Sequence, residues 1–283
     1  MNPESAAHAL ARLRELDRDR YFATLVLPAA ARPPIAALYA FGAEMAAIRE
    51  RVHEPTAGEI RLQWWKDALK GQGHGEVRQN PLADAMLDAV AEYHLPTPPL
   101  LRCAEARRFD LYQDKMPDLE TFEGYAGETV SVLHQLAAVI LNAGQPVETG
   151  DAAGHLGVAQ ALVGHLRAFG YNATRGRIFL PWSILAANGV REEEVFAGEV
   201  SEGLLAAHQQ FVDLAHEHLG KARAAIAVLP KHLRPGFAAV ALVGPQLRRT
   251  EMAAEQAFIV PSDLADWQKL VRLCWTRWGP LPR

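Results

Sequence analysis

Apolar side chains recur at three- and four-residue spacing along almost the whole chain, which is the pattern of helices that bury one face. Breakers separate the patterned stretches, notably at residues 71–75, at residues 144–146 and at Pro230. The patterned stretches are Ala6 to Leu16, Arg32 to Arg51, Gly58 to Leu69, Pro81 to Tyr93, Pro98 to Tyr112, Asp118 to Asn142, Ala152 to Phe169, Glu202 to Leu229, His232 to Met252 and Leu264 to Trp275. No stretch alternates apolar and polar residues as a strand does. The pattern therefore predicts an all-α protein.

Neither a low-complexity linker nor a repeat of fixed period divides the 283 residues. The sequence therefore predicts a single helical domain over residues 1–283. Hydrophobic residues make up 49% of the chain and charged residues 22%, which allows a sizeable core. The formal net charge is −4 and no basic stripe stands out, so nucleic acid is not an expected partner.

The two cysteines and the N-terminal residues indicate a cytoplasmic protein. Cys103 and Cys274 lie far apart without ligand-spaced neighbours, which indicates two reduced thiols. The first twenty residues are polar and charged, unlike a signal peptide, and no run reaches the ~20 apolar residues of a spanning helix. We expect a cytoplasmic protein, with peripheral contact at the inner face of the membrane as its closest approach to lipid. Helical spacing predicts core positions for most tryptophans, with Trp275 and Trp278 as the candidate surface positions.

Three segments follow one another at intervals typical of one protein family. They are Tyr21 to Pro28 with Ala37 to Phe41, Gly58 to Asp67 with its paired tryptophans, and Leu156 to Gln160 continuing to Arg175 to Pro181. Together they resemble the squalene/phytoene synthase family over roughly residues 21–190, and the last third of the chain is compatible with it. The resemblance implies an isoprenoid-synthase helical bundle around a central cavity.

Enzymes of that family join two prenyl diphosphates head to head, with Mg²⁺ drawing off the diphosphate. Two pairs of acidic residues at four-residue spacing hold the metal ions, since Mg²⁺ prefers oxygen ligands and this spacing puts both carboxylates of a pair on one helix face. The resemblance places the first pair at Ala46 and Glu50, and the second at Ala168 and Asn172. Only Glu50 carries a carboxylate. We therefore expect no catalytic residue, no metal ligand and no cofactor.

The other positions that face the family's cavity have lost polar groups as well. The residues that the resemblance implies as cavity-lining are Tyr39, Ala43, Ala46, Glu50, Ala161, Gly164, His165, Ala168 and Asn172. His165 is a candidate to meet Glu50 across the cavity, and the alternative is a histidine satisfied by local hydrogen bonds. Arg167, Arg175 and Arg177 are candidate contacts for a diphosphate or another anion, because guanidinium groups bind phosphate well.

One subgroup of the family fits better than the catalytic enzymes. Residues 40–50, Glu54 with Pro55, residues 58–65 and residues 154–160 are similar to complex I assembly factor 6 and its bacterial relatives, which carry the fold without its acidic pairs. The resemblance implies a pseudoenzyme that supports assembly of respiratory complex I, with complex I subunits or assembly intermediates as partners and an isoprenoid or lipid as ligand. The alternatives are a prenyl-diphosphate transferase with an altered Mg²⁺ site and a scaffold without any ligand.

Overall fold

The structure is a computed structural model that describes residues 1–149 and 151–278. Over these residues the chain forms fifteen α-helices and no strand, which confirms the all-α prediction. The helices are α1 (Pro3–Leu16), α2 (Arg18–Leu25), α3 (Arg32–Ala47), α4 (Pro55–Leu69), α5 (Pro81–Glu92), α6 (Thr97–Ala106), α7 (Leu119–Ala126), α8 (Val132–Leu141), α9 (Asp151–Arg167), α10 (Phe169–Ala173), α11 (Trp182–Ala187), α12 (Glu192–Ala197), α13 (Glu202–Val228), α14 (Val240–Met252) and α15 (Asp266–Trp278). A π-helical segment, Gly127–Ser131, joins α7 to α8.

Helices α5 and α13 begin where a side chain satisfies free backbone N–H groups. Asn80 accepts hydrogen bonds from the backbone of Leu82 and Ala83, and Pro81, which has no N–H to satisfy, opens α5. Ser201 caps α13 by accepting from the backbone N–H of Leu204. These caps fix the first residues of α5 and α13. The start of a helix in turn sets which of its faces turns inward.

Helices α9 and α13 form the central pair of the bundle and bury one apolar cluster together with α7 and α14. Helices α1, α3, α5 and α6 bury a second cluster, and α8 lies between the two. Gly157 lets α9 approach the π-helical segment, because a Cβ at this position would lie 2.1 Å from Ser131 Oγ and 2.6 Å from its backbone nitrogen. This close approach places the C-terminal half of α9 at the middle of the molecule.

A buried polar chain ties α3, α8 and α9 together at their crossing. The Tyr39 hydroxyl and His134 Nδ1 both lie 3.3 Å from the carbonyl oxygen of Gly236, and His134 Nε2 lies 2.6 Å from the side-chain amide of Gln160. The Gln160 atom in this contact is Oε1, and because an amide oxygen only accepts, the shorter contact assigns the ring proton to Nε2, which donates to it. Burial and the charge of Arg20 lower the pKa of His134 to about 4, so the ring is neutral. Tyr39 is therefore part of the core.

Helix α15 is held to the bundle on one face and exposed on the other. The buried Lys269 ammonium lies 2.6 Å from Asp19 and 2.5 Å from Asp263, and Leu273 packs between α2 and α14. The opposite face carries Trp267, Val271 and Trp275, whose exposed fractions are 66%, 59% and 57%. The prediction of a core position was therefore wrong for Trp267, because both of its helical neighbours on this face, four and eight residues on, also point to solvent. Trp275 is exposed as predicted, and the side chain of Trp278 lies outside the described part.

In the part of the chain that the structure describes, each helix is too short or too polar to cross a bilayer.

Candidate functional site

The predicted site lies where two helical segments end close together. Helix α3 ends at Ala47 and a 3₁₀ turn carries the chain to Glu50. On the facing segment, α9 ends at Arg167 and α10 begins at Phe169, with Ala168 between them. The loop after α10 then brings arginine side chains back toward the 3₁₀ turn.

Both oxygens of the Glu50 carboxylate face protein donors. Oε1 lies 2.9 Å from Arg49 Nε and 3.4 Å from Arg177 Nη1. Oε2 accepts from the Tyr171 hydroxyl at 2.7 Å and lies 3.8 Å from Arg175 Nε. Three guanidinium groups around one carboxylate leave a local charge of about +2. We refer to these five residues as the Glu50 cluster.

The environment keeps Glu50 ionised. Partial burial opposes ionisation, but the hydrogen bond from Tyr171 and the charges of Arg49, Arg177 and Arg175 outweigh it and lower the pKa of the carboxyl group. The anion is therefore neutralised by cations of the chain itself. Over residues 1–149 and 151–278, no three His, Cys, Asp or Glu side chains converge in a way that suits a metal ion.

His165 packs among aromatic rings beside this cluster. Its imidazole stacks on Phe179 with ring centres 5.0 Å apart and planes 17° apart, and Phe122 meets it edge-on at 5.9 Å. The guanidinium of Arg49 lies over the Phe179 ring, 4.7 Å from its centre. Burial and the charges of Arg49 and Arg107 lower the pKa of His165 to about 3, so the ring is neutral at physiological pH. The rings of Phe122 and Phe179 thus fill the space that α9 faces at His165.

A second, fully paired carboxylate lies behind the aromatic stack. The Tyr125 hydroxyl donates to Asp110 Oδ1 at 2.6 Å, and Arg107 Nη1 lies 3.0 Å from Asp110 Oδ2 and 2.8 Å from the Tyr125 oxygen. Burial, with the nearby Asp110 charge, raises the pKa of Tyr125, so its hydroxyl remains a donor. Asp110 is 1% exposed and its partners are all protein groups.

The structure places Arg167 and Gly164 at a different site from the Glu50 cluster, whereas the backbone carbonyl of Asn172 accepts from the N–H groups of Arg175 and Arg177. Arg167 pairs with Asp263 at 3.3 Å and, with Gly164, lines a different cavity of about 230 Å³. The walls of this cavity mix apolar residues with polar and charged ones, among them Asp17, Asp19, Arg20, Gln160 and Gln246. The side-chain carbonyl oxygen of Asn172 is buried without a hydrogen-bond partner. Ala43 and Ala161 are buried, and Ala46 and Ala168 are half-buried.

Four residues that shape the site were not predicted from the sequence: Arg49, Arg107, Tyr171 and Phe179. Two of them carried a usable signal, since Arg49 adjoins Glu50 and Tyr171 adjoins Asn172. Phe179 lies inside a segment that had been matched to the family, and nothing in the pattern assigned its ring to His165. Arg107 carried no signal, because its role depends on contacts between separate helices.

Replacing His165 by Phe tests whether the histidine is held neutral. As pH falls below about 6.5 the unfolded chain binds a proton at His165, whereas the folded chain does so only near pH 3, so wild-type stability is lost over this window. We expect His165→Phe to remove a pH dependence of up to about 1.4 kcal/mol per pH unit between pH 6 and pH 4, measured by urea unfolding. The exposed control His74→Phe should keep the wild-type slope. Equal slopes for wild type and His165→Phe would contradict a buried, neutral ring.

Comparison with known proteins places this geometry in context. The sequence profile described as "Squalene/phytoene synthase" matches residues 13–279. The chain is 30% identical to "NADH dehydrogenase (ubiquinone) complex I, assembly factor 6" of Rattus norvegicus over 235 residues, which cover 83% of this chain and 70% of that protein. It is also 28% identical to "15-cis-phytoene synthase" of Synechococcus elongatus over 268 residues, covering 89% of this chain and 86% of that protein.

Solved structures share the architecture at low sequence identity. A dehydrosqualene synthase in complex with a ligand superposes with a TM-score of 0.79 at 17% identity, covering 97% of this chain and 95% of that one. A squalene synthase from Alicyclobacillus acidocaldarius superposes with a TM-score of 0.74 at 18% identity, covering 90% and 95%. These likenesses confirm the isoprenoid-synthase helical fold. The chain belongs to the squalene/phytoene synthase family.

Proposed function

We propose that this chain is a non-catalytic member of the family that supports the assembly of respiratory complex I. The observation that carries the proposal is the Glu50 cluster, in which the one carboxylate at the four aligned metal-binding positions is occupied by three arginines and a tyrosine. The likeness to complex I assembly factor 6 supports the assembly role. Complex I subunits or assembly intermediates are the proposed partners.

The chemistry of the cluster favours anion binding over ionisation of a prenyl diphosphate. A Mg²⁺ ion gathered by carboxylates stabilises the departing diphosphate by several kcal/mol. Here an approaching divalent cation meets a local charge of about +2, which repels it. Arg175 and Arg177 suit a phosphate group, but guanidinium groups alone supply no Lewis acid. The alternative, a transferase with an altered metal site, needs carboxylates that the two aligned pairs lack.

The proposal includes contact with a membrane surface through α15. Trp267, Val271 and Trp275 are spaced four residues apart and so form one apolar stripe along the helix. Tryptophan side chains favour the lipid–water interface, where an apolar ring and a polar N–H are both satisfied. The buried ion pairs of Lys269 hold the opposite face of the helix in place, so the stripe is presented on a rigid element.

Deleting the gene tests the assembly role. We expect NADH:quinone oxidoreductase activity in isolated membranes to fall, because complex I is assembled incompletely, while carotenoid and hopanoid contents stay at wild-type levels. A plasmid copy of the wild-type gene should restore the activity. Loss of carotenoids or hopanoids with normal oxidoreductase activity would instead support the transferase alternative.

Co-sedimentation with phosphatidylcholine–phosphatidylglycerol vesicles tests the membrane contact. We expect the wild-type chain to sediment with the vesicles and the double variant Trp267→Gln/Trp275→Gln to bind at least tenfold more weakly, since each buried ring contributes about 1.5–3 kcal/mol. The matched control is Val228→Gln/Met252→Gln, which removes two other apolar side chains that are 83% and 88% exposed. Undiminished vesicle binding by the tryptophan variant would overturn the assignment to α15.

A further inference from the structure

Helices α13 and α14 pack against each other as an antiparallel pair. A Cβ at Gly244 of α14 would lie 2.8 Å from Arg223 Nη2 and 3.5 Å from Leu219 Cδ2 of α13. Seven residues further along α14, the Glu251 carboxylate lies 3.8 Å from Nε2 of His216, which is seven residues earlier on α13 than Arg223. Because positions seven apart share a helix face, both contacts belong to one line of contact between the helices, which we call the α13–α14 seam.

Arg223 is a partly buried cation in this seam without an acidic partner. Among residues 1–149 and 151–278, its Nε atom is buried and has no hydrogen-bond partner. Burial lowers the pKa of Arg223, the charge of Arg248 on α14 lowers it further, and no carboxylate of the described residues raises it. Arginine stays protonated in proteins, so the seam holds a charge whose burial no anion of the described chain offsets.

Gly244 allows the guanidinium of Arg223 to lie in the seam. A Cβ at this position would come within 2.8 Å of Nη2, which is closer than van der Waals contact. The next contact, with Leu219 at 3.5 Å, is an ordinary one, so the packing of the two helices leaves room for an alanine. Glycine also weakens a helix interior relative to alanine. The contacts therefore relate Gly244 to the position of the arginine and not to the approach of the helices.

An open notch lies beside this guanidinium. Gly220 is exposed one turn before Arg223 on α13, and a Cβ added to it would meet no heavy atom within 4 Å. Arg248 is exposed one turn after Gly244 on α14 and so borders the same side of the seam. With Glu251 one turn further on, the seam carries two guanidinium charges and one carboxylate, a net charge of about +1.

We propose that the notch between Gly220, Arg223 and Arg248 binds a phosphate group, carried either by a free phosphate ion or by the headgroup of an anionic lipid. Guanidinium groups donate to phosphate in pairs of hydrogen bonds, and one such pair already occupies both oxygens of a carboxylate. A phosphate group has further oxygens and can accept from both arginines. Its charge would also offset that of Arg223. The notch shares no residue with the Glu50 cluster, so the inference goes beyond the proposed function.

The exchange Gly244→Ala tests the site without removing a charge. The added Cβ displaces the Arg223 guanidinium, while alanine favours the helix, so the melting temperature should equal or exceed that of the wild type. Inorganic phosphate is titrated into the full-length chain at low ionic strength by isothermal calorimetry. We expect saturable binding to the wild type and about tenfold weaker binding to Gly244→Ala and to Arg223→Gln/Arg248→Gln. In the Arg223→Gln background, Gly244→Ala should have no further effect, because the group that it displaces is gone.

Two matched controls separate the notch from general effects of charge and of glycine. Gly154→Ala adds a Cβ to another helical glycine with open space around it, and Arg61→Gln removes an exposed arginine of α4. Both should bind phosphate as the wild type does. Co-sedimentation with phosphatidic acid vesicles identifies the source of the phosphate group. Weaker vesicle binding by Gly244→Ala assigns a lipid headgroup, and unchanged vesicle binding with weakened phosphate binding assigns a free ion.

Three results would overturn the assignment. The first is a wild type that binds no phosphate and whose vesicle binding Gly244→Ala leaves unchanged. The second is wild-type affinity in both the folded Gly244→Ala variant and the Arg223→Gln/Arg248→Gln variant. The third is an equal loss of binding in Arg61→Gln. A glutamate-rich peptide that binds at the seam in place of phosphate would also contradict it.

Discussion

Cationic and hydroxyl groups of the chain itself surround the carboxylate of Glu50. Two arginines and the Tyr171 hydroxyl lie within 3.4 Å of it, and Arg175 follows at 3.8 Å. We propose that this arrangement puts guanidinium charge where catalytic members of the family hold divalent cations between paired carboxylates. The hydrogen bond from Tyr171 and the positive charge lower the pKa of Glu50, and burial, with the charges of Arg49 and Arg107, keeps His165 neutral.

The space beside α9 also differs from what the resemblance implied. Where the resemblance implied a cavity lined by small residues, the imidazole of His165 stacks on Phe179, and Phe122 closes the stack from the side. Beside Arg167 lies a small cavity of about 230 Å³ with both polar and apolar walls. The chain keeps the fold of the family, but the side chains at the positions that hold ligands in that family have changed.

The helices and the family were predictable because their signals are local. Apolar spacing marks the longer helices, whereas the short helices α2, α11 and α12 lie outside the predicted stretches, and three short segments in order mark the family. The site was predictable only in part. Glu50, Arg175 and Arg177 were named and the structure brings them together, but Tyr171 reaches Glu50 across 121 positions of sequence, and no local pattern reports such a pairing. The helical spacing of α15 does not show which of its faces is buried. The packing of Lys269 and Leu273 against the bundle buries one face and leaves Trp267 on the exposed one.

Pyrophosphate release from farnesyl diphosphate in the presence of Mg²⁺ tests the central claim most directly. The phytoene synthase of Synechococcus elongatus, offered geranylgeranyl diphosphate in the same assay, shows that turnover is detectable. We expect the purified chain to release no pyrophosphate above the protein-free background from either substrate, because the Glu50 cluster repels the metal that the leaving group needs. Mg²⁺-dependent turnover by the wild-type chain would contradict it.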